Sequence, residues 1–122
     1  QGCIISLLDI HAHNRPFKNY AVYNMAKAAH RMMVQSLALD MAPDVRVNGV
    51  APGVNILPEA DGDQALDPQQ QKNIINSIPM QRIGRPYEIA HSVLYLAHAS
   101  YVTGEIITVD GGRSLTLAGG HI

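Results

Sequence analysis

Tyr23 and Lys27 stand four residues apart in a stretch that reads as helix, so their side chains share one face. A free phenol titrates at about 10 and exchanges protons poorly at neutral pH. An ammonium beside it favours the phenolate, which predicts a lowered pKa for Tyr23. Such a pair can pass a proton to or from a substrate near neutral pH. The other reading is an incidental pair on a solvated face. Position favours chemistry. In open α/β sheets, ligands sit at the carboxyl ends of the strands. Asp9 closes the first strand-like run, and Ala51-Pro52-Gly53-Val54-Asn55 follows the second. Tyr23 lies near the start of the helix that joins them, so three candidate groups converge on one rim. Asp9 could instead belong to an Asx turn. Tyr20 offers another phenol, but only Tyr23 has a lysine four residues on.

The elements that must hold these groups follow from the pattern of apolar residues. Cys3 to Leu8 is a nearly continuous apolar run, as suits a strand covered on both faces of a parallel sheet. Cys3 is then expected to be a buried small hydrophobe. Between Tyr20 and Ala42, Val22, Met25, Ala26, Ala29, Met32, Met33, Leu37 and Met41 recur at steps of mostly three and four, which predicts a long helix. Pro43 stops it. Val45 to Val50 alternates and is β-branched, a second strand broken by Ala51-Pro52-Gly53. Asp67-Pro68 reads as an N-cap with proline at the first helical position, opening a short helix through Ile75. Tyr87 to Ala99 carries an apolar face of Ile89, Val93, Leu94, Leu96 and Ala97, with Glu88 in its first turn. Glu105 to Val109 is a third strand, ended by Asp110-Gly111-Gly112. The tail, with Leu115, Leu117 and Ile122, is too apolar for a free solvated end. This alternation of strands and helices predicts βαβ units with right-handed crossovers. Three strands cover two faces poorly and leave an edge, so more sheet is expected beside them.

Composition narrows the function classes. A formal net charge of -1 at pH 7 supplies no basic field for nucleic acid or an anionic membrane. No apolar run approaches a bilayer span. One cysteine among 122 residues permits no internal disulfide and fits a reducing compartment, so a cytoplasmic location is expected. Six histidines invite a metal reading, but His91 and His98 are seven apart on a helix, about 10 Å along its axis. His11 and His13 share a loop with no carboxylate or thiol cluster to complete a site, so no metal is expected. Glu59, Asp61 and Asp63 lack calcium-loop spacing and read as a solvated loop. Gly111-Gly112 and Gly119-Gly120 read as turn or tail glycines rather than a phosphate cradle.

Four motifs in order carry a resemblance across nearly the whole chain. They are Tyr23-Asn24-Met25-Ala26-Lys27-Ala28-Ala29, Val45 to Gly53, Arg82 to Ala90, and Val102 to Gly112. Together they resemble the short-chain dehydrogenases/reductases, and within that family the pteridine reductases. Most members place a serine after the first strand. This chain has Asp9-Ile10-His11-Ala12, an aspartate that is a pteridine reductase trait. Asn48 to Glu59 and Asp110 to Leu115 are similar to bacterial members of that group. Asp9 lies 14 residues before Tyr23, one more than the pattern leads one to expect, which places an extra residue in the His11–Asn19 loop.

The resemblance implies a doubly wound, Rossmann-like α/β fold, with residues 1–122 as its C-terminal half and the dinucleotide-binding half upstream. It implies hydride delivery from NADPH to a carbon–nitrogen double bond of a pterin or dihydropterin. Tyr23 would supply or relay the proton, Asp9 would assist it or protonate a ring nitrogen, and Lys27 would hydrogen-bond the nicotinamide ribose. Pro52, Gly53, Val54 and Asn55 would line the nicotinamide, and Leu7 and Leu8 would border cofactor or substrate. A homotetramer is the implied assembly. The alternatives are another short-chain reductase, such as one acting on 3-oxoacyl thioesters, and a non-catalytic truncated or assembly piece.

Overall fold

The computed structural model describes residues 1–10, 16, 18–57, 62 and 65–117. The elements in chain order are β1 (Gly2–Leu7), α1 (Ala21–Met41), β2 (Val45–Pro52), α2 (Pro68–Asn76), α3 (Pro86–His98), β3 (Ile106–Val109) and α4 (Arg113–Leu117). The strands form one parallel sheet in the order β1-β2-β3. The register runs from Gly2 opposite Val45 to Leu7 opposite Val50, and from Gly49 opposite Ile106 to Pro52 opposite Val109. This is the expected parallel sheet flanked by helices, with every carboxyl strand end on one rim.

The central strand sorts its side chains by parity. Val47 and Ala51 face α1, where they pack with Val34, Ala38 and Leu8; Val45, Leu37, Met41 and Ile106 close the cluster. Residues of the opposite parity face α3. There Arg46, only 9% exposed, reaches the C-terminal end of α3. Its terminal nitrogens donate to the carbonyls of Leu96 (2.8 Å), Ala97 (3.0 Å) and Val102 (3.3 Å). A cation on the orphan carbonyls of a helix C-terminus is favourable both as cap and against the helix dipole. Asn48, fully buried, donates to the Val102 carbonyl and accepts from the Glu105 N–H, which fixes the turn leading into β3.

Local signals set the helix ends. At α2 the Asp67 carboxylate accepts from the Gln70 N–H at 2.7 Å, and the Gln70 side chain accepts from the Asp67 N–H at 2.9 Å. This reciprocal cap, with Pro68 behind it, is what Asp67-Pro68 predicts. At α3 the Glu88 carboxylate accepts from the Arg85 N–H and pairs with Arg82 at 2.8 Å. The Arg82 guanidinium and the Arg85 N–H hold the Glu88 carboxyl at about 2. Gly111 and Gly112 have φ of 63° and 90° and lie against Ile78 and Pro79. They are turn glycines, as expected, because a side chain there would be both strained and crowded.

Four expectations are corrected. The strand β1 is not covered on both faces: Ile4 and Leu7 are 40% and 54% exposed, and Cys3 is exposed rather than buried. The reason is that α1 lies over β2 and leaves the edge strand thinly covered. The buried stripe of α1 is Val34 and Ala38, supported by Leu37 and Met41, while Val22, Met25, Met32 and Met33 point outward. Periodicity shows that a helix has apolar residues on its face but not which of them meet the sheet. The second strand does not stop at Val50; it continues through Pro52, which pairs with Val109 at a strand end where a missing N–H is tolerated. In the tail, Leu115 is 77% exposed on the short helix α4. Expectations for His11, His13, Glu59, Asp61, Asp63, Gly119, Gly120 and Ile122, and most of the His11–Asn19 loop, fall outside the described residues.

Candidate active site

The parallel register brings the ends of β1, β2 and β3 to one rim, and α1 starts above it. Asp9 follows β1 by two residues, and Tyr23 lies in the first turn of α1. Tyr23 Oη donates to Asp9 Oδ2 at 3.0 Å. The ring is 38% exposed and meets Tyr20 edge-on, with centroids 6.4 Å apart. Lys27 Nζ stands 5.7 Å from the centroid of the Tyr23 ring, a cation–π placement. The three residues that the sequence singles out are thus together in space.

The electrostatics differ from the expectation. The pKa of Tyr23 is raised, first by burial, then by the hydrogen bond to Asp9 and by the charge of Asp9. The ammonium sits at the ring, whereas the carboxylate sits at the hydroxyl, so the carboxylate adds to the effect of burial in holding the proton. At rest Tyr23 is a protonated donor. Replacing Asp9 by alanine is expected to lower the Tyr23 pKa, read as tyrosinate absorbance against pH with a Tyr23→Phe variant as the blank. An unchanged curve would mean that Asp9 does not govern this proton.

The segment after β2 lines the same rim. Gly53 N–H donates to the Val109 carbonyl at 3.0 Å, and a Cβ at Gly53 would stand 2.6 Å from that of Asp110. Only glycine permits that approach of the two strand ends. Val54 accepts from Gly84 N–H at 2.8 Å, and the Asn55 side chain donates to the Arg85 carbonyl at 3.3 Å, tying the rim to the start of α3. The N–H groups of Val54 and Asn55 donate to no backbone carbonyl among the described residues. Of the two leucines, Leu7 presents its side chain outward, while Leu8 is 4% exposed and packed in the core. Leu8 therefore cannot border a ligand through its side chain.

A cleft of about 170 Å3 is bounded by Asp9, Pro52, Gly53, Val54, Ile56 and Arg113. A larger one of about 490 Å3, lined by Asn55, Met80, Arg82 and Gly111 among others, does not reach Asp9, so the smaller cleft, which Tyr23 borders only through its hydrogen bond to Asp9, is the candidate site. Sequence reading missed Arg113. The available signal was its place directly after Asp110-Gly111-Gly112, at the carboxyl end of β3 and so on the same rim. Among the described residues no group of three or more His, Cys, Asp or Glu could hold a metal ion, and no helix is long and apolar enough to cross a membrane.

Comparison with known proteins gives consistent matches. A family model described as enoyl-(acyl carrier protein) reductase matches residues 1–114. The 7alpha-hydroxysteroid dehydrogenase of Escherichia coli is 35% identical over 91% of this chain and 44% of its own length. The 3beta-hydroxysteroid dehydrogenase 1 of Eggerthella lenta is 37% identical over 93% of this chain and 44% of its own. Among solved structures, a short-chain dehydrogenase/reductase, glucose/ribitol dehydrogenase, from Brucella melitensis superposes with a TM-score of 0.75 at 33% identity, over 91% of this chain and 43% of that one. The chain thus spans under half the length of these relatives.

Proposed function

Because the chain belongs to the short-chain dehydrogenase/reductase family, we propose that the protein is an NADPH-dependent reductase whose substrate is a pterin or dihydropterin. One observation carries the choice of substrate: Tyr23 Oη donates to Asp9 Oδ2 at 3.0 Å. A carboxylate at this place accepts hydrogen bonds and cannot donate one to a substrate carbonyl, as a hydroxyl would. It suits a ligand that presents N–H groups, as a reduced pteridine ring does.

The same bond favours reduction over oxidation. Removing a proton from an alcohol would require the phenolate, and burial and Asp9 both disfavour that form. In reduction, Tyr23 Oη gives its proton to the nitrogen next to the carbon that is reduced, and that nitrogen is basic enough to take it. Lys27, at the ring, lowers the cost of the phenolate that remains. Asp9 holds the hydroxyl in place beforehand and accepts from a ring N–H. When bound at the rim, the reduced nicotinamide supplies the hydride. The open N–H groups of Val54 and Asn55 would hold its carboxamide, Pro52, Gly53 and Leu7 would border it, and Lys27 would meet its ribose. Association of four copies is part of the proposal; the outward Val22, Met25 and Met32 of α1 give it apolar surface.

The names of the relatives favour a second reading, a reductase of carbonyl groups such as those of ketosteroids or 3-oxoacyl thioesters. The assay that separates them is NADPH oxidation by the product of the full reading frame, with dihydrobiopterin or dihydrofolate against an acetoacetyl thioester and a ketosteroid. Turnover of the pterins is expected. Turnover of a carbonyl substrate alone would replace the first reading with the second.

A further inference from the structure

We propose that Arg113 determines specificity in the cleft beside Asp9, the hydrogen-bond partner of Tyr23, donating from its terminal guanidinium nitrogens to an acceptor oxygen on the substrate. The proposal rests on the reading that this cleft is the reducing site.

Arg113 and Asp9 bound the same cleft of about 170 Å3, with the backbone of Pro52 to Val54 between the strand ends. The base of the guanidinium is anchored. Its Nε donates to Ser77 Oγ at 3.1 Å. Ser77 is itself buried, donating to the Ile74 carbonyl at 2.6 Å and giving its own carbonyl to Thr116 at 2.9 Å. That uses one of five donors. The terminal nitrogens make no hydrogen bond among the described residues. The fold does not need them: the start of α4 is already capped by Asp110, which accepts from Gly112 N–H at 2.9 Å and from Ser114 N–H at 2.7 Å. Burial works against the charge of Arg113 and lowers its pKa, and the negative charges of Asp9 and Asp110 offset only part of that.

The cleft therefore sets an acceptor-only carboxylate and a donor-only guanidinium against one small volume. A planar edge that carries both N–H donors and a carbonyl oxygen satisfies both, whereas an isolated ketone on an aliphatic frame satisfies one. A planar guanidinium addresses such an oxygen with fixed geometry, which a lysine does not reproduce.

The test uses Arg113→Met, Arg113→Lys and Ser77→Ala in the whole protein. With a dihydropterin, both arginine variants are expected to raise KM about tenfold or more while kcat changes far less. That split marks a binding interaction made equally in the ground and transition states. Inhibition by a 4-oxopteridine should weaken by a similar factor, and inhibition by its 4-amino analogue, which lacks that oxygen, should not. Ser77→Ala, which loosens the anchor but leaves the guanidinium, should weaken the 4-oxopteridine less than Arg113→Met does and leave the 4-amino analogue unchanged. If Arg113→Met fails to fold, Arg113→Lys carries the same expectation. Unchanged KM, or equal weakening of both analogues, would overturn the proposal. Failure of the underlying site reading looks different: Tyr23→Phe would then keep its activity whatever Arg113 does.

Discussion

Tyr23→Phe is expected to lower kcat/KM about a hundredfold to ten-thousandfold, the usual worth of a positioned proton donor. The substitution deletes one oxygen from a ring that is 38% exposed, so it leaves no cavity and little change in stability. The loss should fall on kcat, because the proton moves only in the transition state. Asp9→Ala should cost less and act differently. It removes the acceptor that orients the hydroxyl at 3.0 Å and the charge that raises its pKa, so activity should fall while the tyrosine becomes easier to ionise. Steady-state kinetics against pH, on the product of the full reading frame, separate the two variants. A Tyr23→Phe enzyme that kept most of its activity would remove Tyr23 from the chemistry and with it the whole assignment of the cleft.

Arg46→Met is expected to destabilise the fold by about 3 kcal/mol, the scale of losing hydrogen bonds to a charged group and leaving buried carbonyls unpaired. Methionine can fill much of the volume but cannot donate. The Leu96 and Ala97 carbonyls would then lose their partner at the C-terminal end of α3, while the Val102 carbonyl would keep its bond from Asn48. Part of the loss is recovered, because a guanidinium no longer has to be desolvated, and Arg46 Nε is already without a partner among the described residues. Urea titration of the whole protein reads the difference as a lower midpoint at similar slope. Catalytic constants per folded molecule should be unchanged, since Arg46 lies on the face of β2 turned toward α3 and not on the rim. No shift in the midpoint would mean that water caps α3 as well as Arg46 does.

Tyr23 and Arg46 illustrate what was legible. The sequence by itself determined the order of elements, because strand alternation, helical periodicity and caps are local. Asp67-Pro68 closes its cap within four residues, and the Tyr23–Lys27 spacing puts both on one helical turn. It also determined that Asp9, Tyr23 and the Pro52–Asn55 segment share a rim, because parallel strands joined by helices must end on one side. Tertiary structure alone decided which apolar residues of α1 are buried: Val34 and Ala38 meet β2, while Met25, Met32 and Met33 point outward. It decided that Cys3 is exposed, because coverage depends on which strand a helix happens to lie over. It decided the partner of Arg46, which sits 50 residues away in sequence at Leu96. It decided the sign of the Tyr23 pKa shift and the place of Arg113 opposite Asp9. Each of these is set by distances between groups far apart in the chain, and electrostatic and packing energies depend on those distances rather than on sequence separation.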